Sequence, residues 1–407
     1  MQDDKRVAVR ARWAVAAMFL ANGFVMGAWA PQIPLLMPRH DVTESVLGLL
    51  ILVLGMGAVS AMLFAGRLIS LYGGRRVLSL FSLALIPVLP MVVFSPNLWL
   101  LALFMAVFGA MVGCMDVAMN AQAVEIERRL DRAIMSSSHG FWSLGGFIGG
   151  STGSYVIAQW GSEVQSLATA AVVAVLVVGA MPFLLPSAPV APILGGAPKG
   201  PGLFPRNLHV WILGFLAFFS MVPEGAVLDW AAIYLQKELG SDVFVSGLGF
   251  AFFAGAMAVM RFAGDGVRNR FGAVRTLQVS GLLGAAGLMG GATAPNDWVA
   301  IASFAVAGLG VANMVPILFS AAGNHPTLPP ATAISIVTMV GYSGILVAPS
   351  SIGFLAEHMG FRPTYAALSL LLVVVVLMAA RAADADTARK GSGNRQILSG
   401  PGHDTPM

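Results

Sequence analysis

The stretch Ser95-Pro96-Asn97-Leu98-Trp99 returns about two hundred residues later as Ala294-Pro295-Asn296-Asp297-Trp298, each copy between two long apolar runs. Other pairs recur at offsets between 197 and 200 residues: Trp13 and Trp211, Ala65-Gly66 and Ala263-Gly264, Gly113 and Gly310, and Trp142-Ser143 and Tyr342-Ser343. The register hardly drifts over half of the chain, so the second half is predicted to be a structural repeat of the first.

The composition indicates that lipid is the solvent of this chain. Hydrophobic residues make up 57% of it and charged residues only 10%, whereas a soluble domain is about one-quarter charged. A helix needs roughly 20 apolar residues to cross a bilayer. Twelve such segments are predicted, at 12–37, 45–71, 77–95, 98–122, 135–159, 164–186, 208–236, 243–264, 276–294, 298–322, 332–356 and 362–381.

The predicted spans divide into two groups of six. Residues 1–186 are expected to form an N-terminal six-helix bundle and residues 207–381 a C-terminal one. Residues 187–206 hold five prolines and are predicted to be a cytoplasmic linker. The polar tail, residues 382–407, is predicted to be disordered and cytoplasmic.

The distribution of basic residues predicts the orientation. With the N-terminus inside, all but three of the 23 lysines and arginines fall on the cytoplasmic side, the exceptions being Arg39, Lys237 and Arg362. A multi-pass membrane protein with both termini in the cytoplasm is therefore expected. The basic residues responsible for the net charge of +4 are therefore expected to contact the lipid bilayer. No pattern of basic and aromatic residues indicates nucleic-acid binding.

Polar residues within the spans are the candidate functional groups, because a charge at the bilayer centre costs a few kcal/mol. The acids well inside spans are Asp116, Glu224 and Asp229, and the clearest amides are Asn22, Asn120 and Asn313. We expect these six residues to bind substrate or protons. Asp116 and Asn120 stand four apart and so share one helix face.

Each of these residues also has a structural interpretation. Asp116 is expected to take up a proton, or else to hydrogen-bond between helices. Glu224 follows Pro223, which predicts a kinked or broken helix of the kind that marks transporter sites. Asp229 lies nearer the outer side and either serves the site or simply reaches water. Asn22 and Asn313 either line a cavity or join helices.

Aromatic and imidazole groups add two candidates. Trp142 is expected to stack on a substrate ring, although aromatic residues near the membrane surface are more often interfacial anchors. His139 begins span 5, and imidazole titrates near neutral pH. A gating or proton role and a structural role at the helix end both remain open for it.

A charged segment between spans 2 and 3, from Gly66 to Arg76, is echoed between spans 8 and 9 from Gly264 to Arg275. Together with the twelve spans in two halves, these segments make residues 10–381 resemble the major facilitator superfamily. The resemblance implies an all-α fold of 12 transmembrane helices in two six-helix bundles related by a pseudo-two-fold axis. In the fold of that superfamily, spans 1, 4, 7 and 10 line a central cavity. All six polar candidates of this chain fall on those four spans.

The resemblance also implies a cytoplasmic latch that holds one conformation. Ser70 and Leu71 stand where the family's motif has Asp and Arg. The residues expected to gate on this basis are Gly66, Gly73, Arg75, Arg76, Asp265, Arg268 and, at the start of span 5, His139.

Two departures from the pattern of the drug/proton antiporters narrow the choice of subgroup within the superfamily. Span 4 carries no arginine before Arg128, and span 5 lacks the proline of the drug/proton antiporters. Asp116 to Asn120 and His139 to Gly146 instead resemble the fucose-permease-like group of bacterial carriers. That resemblance implies a proton-linked symporter for a sugar-like solute, located in the bacterial inner membrane.

The leading hypothesis is a monomeric secondary carrier that moves a small polar solute by alternating access, coupled to protons. Proton-coupled efflux of an amphiphilic drug or metabolite is the alternative, and a sensor or lipid translocator on the same fold is a minor one. No nucleotide-binding motif is present, and the segment from Gly341 to Gly344 only weakly resembles a membrane serine protease. With one cysteine and no ligand cluster, neither a metal nor a cofactor is expected, and the protein is expected not to be an enzyme.

Overall fold

The computed structural model describes residues 2–130, 134–186, 207–328 and 330–386, which are helical and contain no strand. The predicted linker and residues 387–407 of the predicted tail lie outside these ranges. The helices are α1 (Gln2–Trp29), α2 (Ile33–His40), α3 (Glu44–Tyr72), α4 (Gly74–Leu85), α5 (Val88–Val93), α6 (Leu98–Leu130), α7 (Met135–Ala180), α8 (Leu208–Leu239), α9 (Val243–Phe271), α10 (Ala273–Ala292), α11 (Asp297–Val311), α12 (Met314–Gly323), α13 (Pro330–Met359) and α14 (Phe361–Met378).

The twelve predicted spans are recovered from these helices. Ten described segments are long and apolar enough to cross a membrane. One of them, Met135–Phe183, holds spans 5 and 6, since Gly161 breaks α7 with a φ of 88°. The helix Ala273–Ala292 supplies span 9 and completes the twelve.

The internal repeat is visible in the backbone conformation. Among the described residues, positive φ angles occur only in three pairs, each 199 residues apart: Asp41 and Gly240, Gly73 and Gly272, and Gly161 and Gly360. The paired residues also match in conformation, with Asp41 and Gly240 both left-handed at helix ends. Positive φ is costly without glycine, so these turns are specified by sequence. The two halves are therefore structural copies.

Helix caps repeat at the same offset. Asn97 Oδ1 accepts a hydrogen bond from Leu100 N–H, and Asn296 Oδ1 accepts one from Val299 N–H, both at 3.0 Å. Such N-caps satisfy backbone donors that a helix start leaves free. The recurring Pro-Asn stretch is thus the cap that starts spans 4 and 10.

Of the kink or break expected at Pro223, the break is wrong. Helix α8 runs without interruption through Pro223, whose missing N–H removes only one backbone hydrogen bond. Packing against neighbouring helices keeps such a span continuous. The interrupted spans are 1, 3 and 10, at residues 30–32, 86–87 and 312–313.

The helical part of the chain extends further towards the C-terminus than predicted. A 3-10 helix, Ala379–Asp386, includes the first five residues of the segment predicted to be disordered from Ala382. Asp386 Oδ2 accepts a hydrogen bond from Ala273 N–H at 2.7 Å, and Asp386 lies 3.9 Å from Arg268. These contacts order the segment as far as Asp386.

The two halves meet along two seams. In one, α7 packs on α9 so closely that a Cβ built on Gly150 would lie 3.1 Å from Ala251 Cβ. In the other, α3 packs on α13, where a Cβ built on Gly48 would lie 3.0 Å from Pro349 O. Small residues allow this approach of helices.

The second seam is fastened by polar contacts at one face. We call the face where α1 begins and α3 ends the N-terminal face, and the other the opposite face. At the opposite face Lys237 pairs with Glu44, and Ser45 N–H donates to Glu357 Oε2 at 2.9 Å. The halves therefore touch along this seam at the opposite face.

Candidate functional site

An ion pair between Arg261 of α9 and Glu224 of α8 forms the centre of the site. Arg261 Nη2 lies 3.4 Å and 3.5 Å from the two carboxylate oxygens of Glu224. Arg261 Nη1 donates a 2.6 Å hydrogen bond to Ser143 Oγ on α7. The side chains of Arg261 and Glu224 are 15% and 27% exposed, so the charges are mostly removed from solvent. The guanidinium thus joins the second half to the first.

Trp142 continues the polar contacts into the first half. Its ring lies 5.9 Å from the Arg261 guanidinium carbon, within range of a cation–π contact. Its indole N–H donates to Asn22 Oδ1 at 2.9 Å, and Asn22 Nδ2 donates to Val112 O at 3.4 Å. Two predicted site residues, Asn22 and Trp142, are therefore brought together and lie beside Arg261.

Asp116 and Asn120 form the next part of the site, on α6. Asn120 Nδ2 donates to the backbone carbonyl of Asp116 at 2.9 Å. Tyr342 of α13 lies within electrostatic range of Asp116, Glu224 and Arg261. We call Asn22, Asp116, Asn120, Trp142, Ser143, Glu224, Arg261 and Tyr342 the central network.

Glycines explain why this network assembles. A Cβ built on Gly23 would lie 1.9 Å from Trp142 O, and one built on Gly145 would lie 2.2 Å from Leu20 O. No side chain fits at either position, so α1 and α7 touch backbone to backbone. This approach sets Asn22 beside the indole of Trp142.

Asp229 and Asn313 lie apart from the central network. Asp229 is 7% exposed and lies in the field of Tyr365 on α14, so it does not simply reach water. Asn313 is 8% exposed at the break between α11 and α12. Its Oδ1 packs against Gly264, and its Nδ2 has no hydrogen-bond partner.

His139 lies closer to the network than its position at a helix end suggests. Its ring makes an edge contact with Phe19 of α1, with centroids 5.2 Å apart. It also lies in the electrostatic field of Arg261.

The arginines of the predicted latch bind within their own halves. Arg75 donates to Met181 O at 3.4 Å and Pro182 O at 3.2 Å, at the end of span 6. Arg268 donates to Ser320 Oγ at 2.8 Å and to Ala385 O at 2.7 Å, at the end of span 12. These bonds satisfy carbonyls at helix C-termini.

Of the other predicted gating residues, one forms a turn and two are exposed. Gly73 forms the positive-φ turn between α3 and α4. Gly66 and Arg76 are exposed, and nothing lies within 4 Å of a Cβ built on Gly66. The side chain of Asp265 lies outside the described part of the structure.

Arg261 is the charged residue of the candidate site that sequence reasoning missed. The charged candidates predicted inside the spans are all acids, and Arg261 is three residues from the predicted end of span 8. The signal was present, because an arginine within an apolar segment needs a counter-charge as much as an acid does. Among the described residues no cluster of three or more metal-ligating side chains occurs.

Comparison with solved structures identifies the fold. The nucleoside transporter NupG superposes with a TM-score of 0.69 over 92% of this chain and 98% of its own, at 14% identity. A D-xylose-proton symporter gives 0.70 over 91% and 97%, at 16% identity. At these identities the likeness concerns the fold alone.

Sequence relatives are more similar. An MFS-type transporter of Yersinia pestis is 36% identical over 89% of this chain and 93% of its own length. The membrane protein MosC of Rhizobium meliloti is 32% identical over 93% and 91%. The sequence profile of the Major Facilitator Superfamily matches residues 15–349. The chain therefore belongs to the Major Facilitator Superfamily of membrane transporters.

Proposed function

We propose that this protein is a secondary active transporter that moves a small polar solute across the bacterial inner membrane by alternating access, with protons as the coupling ion. The observation that carries the proposal is the central network, in which the Arg261–Glu224 ion pair of the second half meets Ser143 and Trp142 of the first half where the halves touch. A polar site at the interface of two repeats is where such carriers bind substrate.

The groups in the network favour a hydroxylated, sugar-like solute. Asp116, Asn120 and Glu224 supply carboxylate and amide groups that hydrogen-bond hydroxyls. The Trp142 ring offers an apolar face beside them. The names of the two solved relatives, a nucleoside transporter and a xylose-proton symporter, agree with a sugar-containing substrate.

Asp116 is the proposed proton carrier. Glu224 already has a counter-charge in Arg261. Asp116 has the Asn120 amide and lies near Tyr342, and it forms no ion pair among the residues that the structure describes. An unpaired carboxylate in a membrane is costly, so protonation relieves the site.

The N-terminal face is proposed to be cytoplasmic, following the distribution of basic residues. A monomer is proposed, with residues 1–186 and 207–381 rocking against each other and residues 187–206 linking them.

The test is transport by the purified protein in liposomes that enclose a pH-sensitive dye. Sugars, polyols and nucleosides are added singly to wild type, Asp116→Asn and Glu224→Gln. We expect one class to change the internal pH in wild type and to fail in Asp116→Asn. Uptake without any pH change, equal in all three proteins, would exclude proton coupling at these acids.

Efflux of an amphiphile is a second candidate, favoured by a groove of about 380 Å³ in the α7–α9 seam. The groove is lined by aromatic and aliphatic side chains, and it includes Leu144 and Phe262, which are sequence neighbours of Ser143 and Arg261. An amphiphile could enter the network from the lipid at this point. Dye-like cations added to the same liposomes separate the two candidates.

A further inference from the structure

An apolar groove of about 380 Å³ runs along the α7–α9 seam, where the first half packs on the second. The lining residues that the structure describes carry no polar side chain. They are Leu144, Phe147, Phe252, Gly255, Ala256, Ala258, Val259, Phe262 and Ala305. Val259 is 65% exposed and Phe262 is 48% exposed, so the groove is open along its side. In a membrane this opening meets lipid.

The lining of the groove fits a hydrocarbon chain better than water. A water molecule held in a cavity needs several polar partners, and these side chains offer none. An empty groove would leave its walls without van der Waals contacts on one side. A hydrocarbon chain supplies those contacts, so a lipid acyl chain is the occupant that the chemistry favours.

The length of the groove matches one leaflet of a bilayer. Its lining residues on α9 run from Phe252 to Phe262, and ten residues of helix rise by about 15 Å. The hydrocarbon core of a bilayer is about 30 Å thick, so that one leaflet contributes about 15 Å. Phe252 lies near the middle of predicted span 8, and Phe262 lies near its end at the N-terminal face.

Aromatic side chains connect the groove to the exposed face of α1. The ring of Phe262 contacts Phe141 edge-on with centroids 5.5 Å apart, and Phe141 contacts Trp13 in the same way at 6.0 Å. Trp13 is 63% exposed and lies at the predicted start of span 1. Exposed tryptophans at span ends lie at the level of lipid headgroups. The groove therefore reaches headgroup level beside α1.

The face of α1 that continues from Trp13 towards the N-terminus is basic. Arg10 and Arg6 precede Trp13 by three and seven residues, so they lie on the same side of the helix. Together with Lys5 and Val9 they line a surface depression of about 300 Å³, and all four are exposed. Basic residues directly beyond a span attract anionic lipid headgroups.

We propose that the α7–α9 seam binds an anionic phospholipid of the leaflet at the N-terminal face. One acyl chain lies in the groove, and the phosphate lies against Lys5, Arg6 and Arg10 of α1. Because α1 and α7 belong to the first half and α9 to the second, this lipid contacts both halves at once. It is part of the seam and not the transported solute, so the inference goes beyond the proposed function.

The α3–α13 seam provides an internal comparison, because it is the counterpart of the α7–α9 seam in the repeat. Leu63 of α3 corresponds to Phe262 at the offset of 199 residues. Helix α8 begins at Leu208, only three residues before Trp211, the counterpart of Trp13. The basic turns that precede Trp13 therefore have no helical counterpart among the described residues of the second half.

The test is photolabelling in phosphatidylcholine liposomes by phosphatidylglycerol that carries a diazirine in the middle of one acyl chain. The labelled peptides are mapped by mass spectrometry. We expect the label on the groove residues of α7 and α9, and we expect excess unlabelled phosphatidylglycerol to displace it. Phosphatidylcholine with the same photolabile chain should give about tenfold less label, which is within what three basic residues at a membrane surface support.

Two variants change the site at its two ends. Val259→Trp places a large side chain at the open edge of the groove, where the exposure of Val259 allows it, and should reduce the label severalfold. The double variant Arg6→Gln/Arg10→Gln should lose most of the preference for phosphatidylglycerol. Ser60→Trp is the matched control, because Ser60 is exposed and corresponds to Val259 in the α3–α13 seam. It should be labelled as wild type is.

Three results would overturn the inference. Equal labelling of the two seams would mean that lipid merely covers the outer surface. Equal labelling by the two phospholipids would leave the basic residues of α1 without a role. Displacement by a cationic amphiphile as efficient as that by phosphatidylglycerol would assign the groove to a transported amphiphile. Transport of a polar solute is measured separately and is unaffected by any of these results.

Discussion

The two halves of the molecule have the same turns and different charges. Their positive-φ residues and their asparagine caps coincide at an offset of 199 residues. At the same offset, Arg261 of the second half corresponds to Met62 of the first, and Glu224 corresponds to Val25. The backbone has kept the repeat, while the ion pair of the site exists in one copy only.

One pair of charges has been kept with its signs exchanged. Arg39 and Glu163 lie 3.3 Å apart at the opposite face, and the corresponding residues of the second half, Glu238 and Arg362, lie 3.7 Å apart. The end of span 1 thus contacts the start of span 6, and the end of span 7 contacts the start of span 12, each through an ion pair. The arginine lies on the earlier span in the first half and on the later span in the second half.

The arginine of each pair also binds the same carbonyl position. Arg39 Nη1 donates to Val93 O at 2.6 Å, and Arg362 Nη1 donates to Ala292 O at 3.3 Å. Val93 and Ala292 are again 199 residues apart. A structural contact needs opposite charges and a donor at one place, and it tolerates exchange of the chain positions that supply them. A transport site needs particular groups at particular positions.

Helix packing gives the largest expected difference between the halves. A Cβ built on Gly145 would lie 2.2 Å from a backbone oxygen, whereas one on the corresponding Gly344 would lie 3.2 Å from a side-chain methyl of Val222. We expect Gly145→Ala to abolish folded protein in detergent and Gly344→Ala to be tolerated, because backbone yields less than a side chain. Size-exclusion chromatography measures both, and equal profiles would contradict the comparison.

Loss of the Arg261–Glu224 ion pair is expected to have the next largest effect. Arg261→Ala leaves Glu224 charged and without its partner, which we expect to cost about 2 kcal/mol of unfolding free energy, less than for a fully buried pair. The double variant Arg261→Gln/Glu224→Gln should recover thermal stability in detergent and remain inactive in liposomes. Recovery of transport in the double variant would show that the pair is only structural.

The exchanged ion pairs should show a smaller effect. Arg39→Glu removes the bond to Val93 O and sets two acids together, while exposed pairs are worth about 0.2–1 kcal/mol. We expect a lowered melting temperature that Arg39→Glu/Glu163→Arg restores, since this double variant copies the polarity of the second half. If the double variant melts below the single one, the two pairs are not equivalent.

The smallest effect is a pH dependence of the turn after span 10. His325 Nδ1 accepts hydrogen bonds from Thr327 N–H and Leu328 N–H, both at 3.2 Å. Burial, and then the neighbouring His209, lower the pKa of His325 below its ordinary value of 6.5. A base with a lowered pKa is stabilising in its neutral form, so its contribution is complete above pH 6.5 and declines as the pH falls below that value.

The first half has Ile126 at the position that corresponds to His325, and so offers no titrating partner for this effect. We expect the melting temperature to fall slightly on acidification in wild type, and less in His325→Asn. Equal falls in both proteins would assign the pH dependence to other groups.

The sequence predicted the fold well and the site in part. Apolar length predicted the twelve spans, and the repeated stretches predicted two similar halves, because both signals are local or periodic. Asn22, Asp116, Asn120, Trp142 and Glu224 were predicted as site residues, and all of them lie in the central network. Their roles in transport stay predictions.

The errors have a common origin in packing. Pro223 carries a strong local signal, but neighbouring helices keep α8 continuous. Of the two interpretations of Asp229, the one in which it simply reaches water is wrong, because the residue is buried. Arg261 looked like one more basic residue near a span end. In each case the surroundings of the residue come from other helices, which local sequence does not describe.

By itself the sequence determined the solvent, the spans and the repeat of this protein, since apolar length and turn residues act over a few positions. Only the tertiary structure decided which polar groups meet. Arg261 reaches Glu224 across 37 residues and Ser143 across 118. Such contacts depend on which helices pack together and how closely, and glycines with space for no side chain set that distance.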